Sequence, residues 1–139
     1  MELIPISEHP DSAKILYDLL AERTPEQSIS HREMPSVEEH LAFVALAPYD
    51  AWYLIECTVN GQLEIVGSIY LTRANEIGIF IFRQHQGVGF GLLAVPLLME
   101  MHGKRRYVAN ISPQNDASLR MFDMLGFRTI QHTLALDAD

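Results

Sequence analysis

Apolar positions along this chain change period several times, and each change marks an element. Residues 2–7 form a short apolar run that reads as a first strand. His9-Pro10-Asp11 then opens a helix with Ala13, Leu16 and Leu20 on one face and Ile15 and Leu19 beside them. Residues 23–35 have no clean period and read as a long loop, a length that often carries function. Ser36 and Glu39 have the spacing of a capping box. The helix they open places Val37, Leu41, Val44 and Ala45 on one stripe, and Pro48 closes it.

The period then shortens to that of strands. Ala51–Cys57 is one strand and Gln62–Arg73 the next, joined by Asn60-Gly61, a pair that tolerates positive φ and favours a hairpin. After a turn near Ala74-Asn75, Glu76–Arg83 is a third strand of this run, rich in β-branched and aromatic residues. A glycine-rich turn leads to an apolar helix over 90–102, and Pro96 inside it should kink it. Tyr107–Ile111 reads as a strand. Asn115 caps a helix with Leu119, Phe122 and Leu125 on one side, closed by Gly126. Phe127–Leu136 is the expected last strand. The order β-α-α-β-β-β-α-β-α-β predicts an α+β protein with a mixed, mostly antiparallel sheet.

Composition narrows the functions open to it. At 139 residues the chain has room for a single domain with a real core, spanning 1–139. Ten Lys and Arg against eighteen Asp and Glu leave a net charge of −8, so no general attraction draws it to nucleic acid or an anionic membrane. Lys104-Arg105-Arg106 is the tight basic group. Cys57 is the single cysteine, which excludes an intrachain disulfide and fits the cytoplasm. The N-terminus lacks the pattern of a signal peptide, and no apolar run is long enough to span a membrane. Six scattered His and the lone Cys form no metal-ligand spacing, so no metal is expected.

The chemistry concentrates in Gln86-Gly87-Val88-Gly89-Phe90-Gly91-Leu92, which joins a strand to a helix. Free N–H groups at a helix start, approached through glycines, make an anion site, most often for phosphate. GxGxxG fails because Leu92 or Ala94 occupies its third glycine, and the nucleoside-triphosphate loop lacks its Gly-Lys-Ser/Thr. The pattern that fits is Q-x-x-G-x-G, as Gln86, Gly89 and Gly91, or in a second register as Gln84, Gly87 and Gly89.

In these residues the sequence resembles the GNAT superfamily of acetyl-CoA-dependent N-acetyltransferases. "NEIGIFIFRQHQGVGFG" is similar to its fourth strand and pyrophosphate loop. "NISPQNDASLRMFDMLGF" is similar to its fifth strand and following helix, through Asn115, Ser118, Leu125, Gly126 and Phe127. The likeness covers 50–136 well and the first 49 residues in element order. It implies the GNAT acyltransferase fold, in which strands four and five splay apart and leave main-chain groups for the pantetheine arm of coenzyme A. By position Phe80, Ile81 and Phe82 would offer that backbone. The amides from Gly87 through Val88, Gly89, Phe90 and Gly91 to Leu92, beside Gln86, would hold the pyrophosphate. The Phe80 amide would stabilise the oxyanion, and Asn115 and Ser118 would lie on the cofactor side.

The resemblance also implies acid–base roles. Glu76 stands where several members keep a general base for the amine; the plain alternative is a polar residue opening a strand. Phe122 stands where many keep a tyrosine that protonates the leaving thiolate, and Phe cannot donate a proton; Tyr70 is a substitute. A thiol, with a pKa of about 8.5, can leave with little help. The acceptor would lie against the long loop, with Ser28, Ser30, His31, Arg32 and Glu33, and near Tyr70; Trp52 and Tyr53 could stack on a flat or sugar-like acceptor, and core packing is the favoured reading of both. "PYDAWYLIE" and "GSIYLTRANEIGIFI" are loosely similar to members that acetylate nucleotide-linked amino sugars, whose negative charge would need Arg32 or Arg73. The reading is acetyl transfer to a primary amine of a small molecule through a ternary complex. The alternatives are a catalytically weak acyl-CoA-binding protein and an enzyme acetylating protein lysines or N-termini. Family members commonly end with two strands after Leu-Gly-Phe, and here one is available. Either a strand is missing or a second subunit, as in a homodimer, covers the exposed edge.

Overall fold

A computed structural model describes residues 1–23 and 34–138. Strand β1 (Glu2–Pro5) runs into a 3-10 turn, Ile6–Glu8, then helices α1 (Ser12–Ala21) and α2 (Val37–Ala45). Strands β2 (Ala51–Val59), β3 (Gln62–Leu71) and β4 (Ile77–Ile81) follow, then α3 (Phe90–His102) and α4 (Asp116–Met124). The sheet has the order β1-β2-β3-β4 with every neighbour antiparallel. The α+β expectation holds.

Period-two alternation divides the sheet's two faces. Ile55 and Cys57 of β2, Ile69 and Leu71 of β3 and Ile77 of β4 face α3 and α4, where they bury Ala94, Val95, Leu98 and Phe122. Leu54, Trp52, Phe80 and Phe82 face the other way, against Leu16 and Leu19 of α1. A bulge between Ile55 and Glu56 inserts Val66 as an extra residue in β3, and its carbonyl accepts the Phe82 N–H at 2.9 Å.

Most predicted elements are present with shifted ends. β1 is shorter than 2–7, β3 stops at Leu71, and β4 is Ile77–Ile81 rather than 76–83. The chain turns at 72–76 because the Thr72 hydroxyl accepts the Ala74 and Glu76 N–H groups, at 3.2 and 3.0 Å. Helix α2 carries its capping box, with the Ser36 hydroxyl accepting the Glu39 N–H at 3.1 Å. Its buried face differs from the expected stripe: Val37 and Leu41 are 55% and 49% exposed, while His40 is buried. His40 wins that place because its Nε2 meets the Ala13 carbonyl at 3.0 Å and its ring meets Tyr17 edge-on. Pro96 does lie inside α3, on its exposed face.

Two expected strands are absent among the described residues. Tyr107–Ile111 makes one parallel bridge, Val108 to Glu76, and no ladder. Phe127–Leu136 pairs with nothing: Phe127 ends the α4 cap by donating to the Phe122 carbonyl at 2.9 Å, and the residues after it are exposed. A strand pattern marks a segment that can pair; the partner must also be within reach. The basic triplet beside this bridge is partly structural, since Arg105 donates to the His102 carbonyl (2.7 Å) and to Asn75 Oδ1 (3.3 Å).

Leu98 is fully buried between α3 and the sheet. Leu98→Ala should cost about 2–5 kcal/mol of stability, read by urea unfolding. A loss below roughly 1 kcal/mol, nearer that of a surface change, would mean that this layer is not the core.

Candidate functional site

The site is a split at the edge of β4. In an antiparallel ladder alternate residues turn their N–H and C=O groups toward the same neighbour. The Thr72 N–H donates to the Glu76 carbonyl and the Phe82 N–H to the Val66 carbonyl, both at 2.9 Å. With the unbroken β3–β4 register between them, Gly78 and Phe80 also turn their main-chain groups toward β3. Ile77, Ile79 and Ile81 turn theirs outward. The Ile77 N–H reaches the Val108 carbonyl at 2.8 Å, and the Val108 N–H reaches the Asn75 carbonyl at 3.0 Å. There the pairing stops. The Ile79 and Ile81 N–H groups take no backbone partner among the described residues.

This geometry corrects one sequence expectation. The Phe80 amide belongs to the β3 ladder, opposite Ser68, and cannot serve as a cleft donor; the Phe82 amide is likewise taken. Of Phe80, Ile81 and Phe82, only Ile81 aims its main chain at the cleft. Ile79, two residues earlier, was missed. The period-two rule was available in the sequence, but its phase depends on which residues bond β3.

The split opens into a cleft of about 610 Å3 lined by both walls and the glycine turn. Gln86 Nε2 donates to the Ile81 carbonyl at 3.0 Å, which ties the turn to the strand end. Gln84 instead lies 3.3 Å from His85, so the register beginning at Gln86 is the one that reaches the cleft. Gly87 and Gly89 hold φ of +80° and +94°, values that a side chain rarely tolerates, and Gly89 is the N-cap of α3. Gly87, Gly89, Phe90, Gly91 and Leu92 line the cleft. The Val88 side chain is 69% exposed, and neither it nor Phe82 lines the cleft. A Cβ on Gly91 would overlap the Met121 sulfur, so this glycine lets α3 and α4 meet. Asn115 and Ser118 are on the far wall, where the Asn115 side chain accepts the Ser118 N–H at 3.2 Å and caps α4. Phe122 is buried against Phe127 edge-on, with ring centroids 5.0 Å apart.

Glu76 lies at the one bridge between the walls and lines the cleft. The Asn110 amide Nδ2 donates to its carboxylate, which places that carboxylate across the mouth of the split. Asn110 was not singled out from the sequence; its position at the end of the expected fifth strand, facing the strand that starts at Glu76, was the available signal. Tyr70 also lines the cleft, directly opposite Gly78 in the ladder. A Cβ at Gly78 would overlap the Tyr70 ring, so the glycine is what lets that ring lie across β4. Tyr49 stacks on Tyr70 with centroids 3.9 Å apart, and Trp52 and Phe43 close around the pair edge-on. Arg23, at the end of α1, lines the cleft and stands 6.0 Å from the Phe80 ring centroid. Burial pushes the Tyr70 hydroxyl above the usual tyrosine range; the Glu76 carboxylate adds to this, and Tyr49 and Arg23 oppose it. Burial likewise raises Tyr49. The expected acceptor residues Ser28, Ser30, His31, Arg32 and Glu33 lie outside the described residues.

Residues 1–128 match the family described as "Acetyltransferase (GNAT) domain". The sequence matches none of the curated proteins. Among solved structures, a domain from Methanocaldococcus jannaschii is 21% identical with a TM-score of 0.81, over 95% of this chain and 90% of that one. An acetyltransferase from Thermus thermophilus is 23% identical with a TM-score of 0.69, over 94% and 88%. The yncA protein of Salmonella typhimurium, solved with its cofactor acetyl-CoA, is 20% identical with a TM-score of 0.61, over 91% and 77%. At these identities the likeness is one of fold.

The tyrosine pair makes stability depend on alkaline pH. Both hydroxyls titrate above their ordinary 10.0 in the folded chain, so folding favours their protonated forms. That stabilisation is whole below about pH 10 and is lost as pH rises through the folded values. Urea melts should weaken above about pH 10, and the joint change Tyr49→Phe with Tyr70→Phe should flatten that fall. A fall that persists unchanged in the double variant would place its origin elsewhere.

Proposed function

The chain belongs to the GNAT acetyltransferase family, and as such it is an enzyme with acetyl-CoA as its cofactor; we propose that it acetylates the primary amine of a small molecule by direct attack, with both substrates bound together. The observation that carries this reading is the split itself. The outward-turned main chain of Ile79 and the Ile81 N–H run straight into a glycine turn at a helix N-terminus, with the Glu76 carboxylate at the other end. The cofactor's arm is an extended chain with amide groups, and its pyrophosphate is an anion; these are the partners such a backbone edge and such a turn lack. Ile79 and Ile81 would hold the arm. The turn from Gln86 to Leu92 would hold the pyrophosphate, with Asn115 and Ser118 on the opposite wall.

When bound, acetyl-CoA supplies an acyl carbon activated as a thioester and a thiol that can leave. The chain's own residues supply the rest. Glu76 takes the proton that an alkyl ammonium must lose before it can attack. Asn110 holds that carboxylate in place by donating to it. The Ile79 amide is the donor offered to a carbonyl oxygen that gains negative charge. Phe122 has no proton to give the departing thiolate. Tyr70, kept protonated by burial and facing the same cleft, is the group that can.

The acceptor is the finer part of the proposal. The amino-sugar likeness finds no support in the similar proteins. Among the described residues, the guanidinium groups that line the cleft are those of Arg23 and Arg120, whereas Arg73 sits on the exposed turn after β3. An amine near Glu76 whose molecule also carries a negative group near Arg23 suits this lining. The net charge of −8 draws in cationic amines in general. The reading in which the chain binds acyl-CoA with little turnover draws on Phe122 alone.

Release of free coenzyme A in the presence of amino sugars, amino acids, polyamines and peptides tests these readings together. Turnover with small amines supports the proposal. Turnover with peptides alone makes the chain a protein acetyltransferase. Tight acetyl-CoA binding with no turnover on any amine makes it a binding protein. Glu76→Gln should lower kcat by about 10²–10⁴-fold with acetyl-CoA affinity kept, and should abolish the acidic limb of the rate–pH profile. An unchanged profile removes Glu76 as the base.

A further inference from the structure

Of the buried polar side chains among the described residues, Ser112 and His85 line the cleft, and His85 is the one that can carry a charge. The ring is 8% exposed. It stands in the 3-10 turn Arg83–His85, immediately before the glycine turn, and its main-chain N–H donates to the Phe82 carbonyl at 2.8 Å. That bond fixes the ring's backbone at the end of β4. From Gln86 to Leu92 the turn itself has no Lys or Arg.

The surroundings decide which proton the ring can gain. Its Nε2 lies 3.4 Å from Glu64 Oε2 of β3, and the Gln84 amide, which can turn either its oxygen or its nitrogen, lies 3.3 Å from the same atom. A carboxylate can only accept, so Nε2 carries the hydrogen that faces Glu64. Nδ1, which makes no hydrogen bond to a described residue, is left to gain or lose the proton that sets the charge. Phe90 of α3 meets the ring edge-on, with centroids 6.1 Å apart, and brings no charge. On the α1 side the Glu22 carboxylate accepts the Arg83 N–H at 2.7 Å, the Arg83 guanidinium donates to the Glu22 carbonyl at 3.4 Å, and Arg23 lines the cleft. The charge directly against the ring is thus one carboxylate, and an anion seated in the glycine turn adds a second.

We infer that His85 is a cofactor-binding residue that takes up a proton when acetyl-CoA seats in the glycine turn. The inference rests on the reading above in which this turn holds the pyrophosphate. Histidine changes charge between about pH 5 and 8, so a second anion beside the ring tips it to the charged form near neutrality. The proton passes from solvent to Nδ1 and returns to solvent when coenzyme A leaves. Binding and chemistry then have opposed pH trends. Affinity for acetyl-CoA rises as pH falls, whereas Glu76 must be ionised to take the amine's proton, so kcat rises as pH rises.

Calorimetry of acetyl-CoA binding at about pH 7, repeated in buffers of different ionisation enthalpy, counts the protons taken up. The wild-type chain should take up about a third of a proton or more per cofactor. Dephospho-coenzyme A keeps the pyrophosphate but lacks the 3′-phosphate, which itself titrates near pH 6, and it should take up the same fraction. The dissociation constant for acetyl-CoA should rise at least about threefold from pH 6 to pH 8. His85→Gln should keep the circular dichroism of the wild type and lose both the uptake and the pH trend. Nitrogen-15 shifts of the histidine rings in the wild-type chain report the same event without any variant: the His85 ring should gain its second proton when acetyl-CoA is added. Binding without proton uptake, uptake that persists in a folded His85→Gln chain, uptake that disappears with dephospho-coenzyme A, or a His85 ring that gains no proton each overturns the inference and leaves the site reading standing. No binding of acetyl-CoA at all overturns both.

Discussion

Two hydrogen bonds hold the returning chain against β4: Ile77 N–H to the Val108 carbonyl, and Val108 N–H to the Asn75 carbonyl. They are the whole of the backbone pairing on that side among the described residues. A longer ladder would have sealed Ile79 and Ile81 into a continuous sheet, and no pair at all would have let the walls drift. One bridge does neither. It fixes the two walls at one end and leaves main-chain donors and acceptors unsatisfied beyond it, groups that cost free energy unless water or a ligand answers them. Thr72 and Arg105 brace the same point, the first by shaping the turn before Glu76 and the second by reaching Asn75.

The two ends of the cleft divide the chemistry. At one end the glycine turn leaves the first N–H groups of α3 at the cleft, where the helix start favours negative charge. At the other, a carboxylate fixed by an amide faces an aromatic wall whose buried phenols keep their protons. The Glu76 carboxylate and the Tyr70 phenol therefore line one cleft, with Gly78 making room for the Tyr70 ring across β4. The guanidinium of Arg23 stands on the same lining and opposes the rise that burial and Glu76 impose on the Tyr70 hydroxyl.

The acceptor wall and the cofactor wall differ in how they could be read. Gly87, Gly89 and Gly91 are legible because positive φ or a close approach demands glycine, and Gln86 through its spacing to them. Glu76 was legible as the residue opening a strand after a turn. Asn110 was not, because its importance comes from the one bridge that brings it to Glu76 across 34 positions of sequence. Arg23 was not, because it opens a loop without a period, and only the folded chain brings it beside Phe80 of β4. The burial of His40 was not legible either, since only the packed helices reveal that a carbonyl of α1 meets its ring nitrogen.

The order of most elements, the two hairpins, the capping box, the glycine turn and the alternating strand faces are local properties. They follow from φ preferences, side-chain period and near-neighbour hydrogen bonds, and the sequence by itself determined them. Three things were decided only when the pieces came together. The phase of the β3–β4 ladder chose Ile79 and Ile81 over Phe80 as the residues whose main-chain groups turn toward the cleft. The single bridge at Val108 chose where pairing ends, and the cap at Phe127 turned an alternating apolar segment away from its own sheet. Each depends on which backbone groups find partners across long separations, and residue type does not encode that.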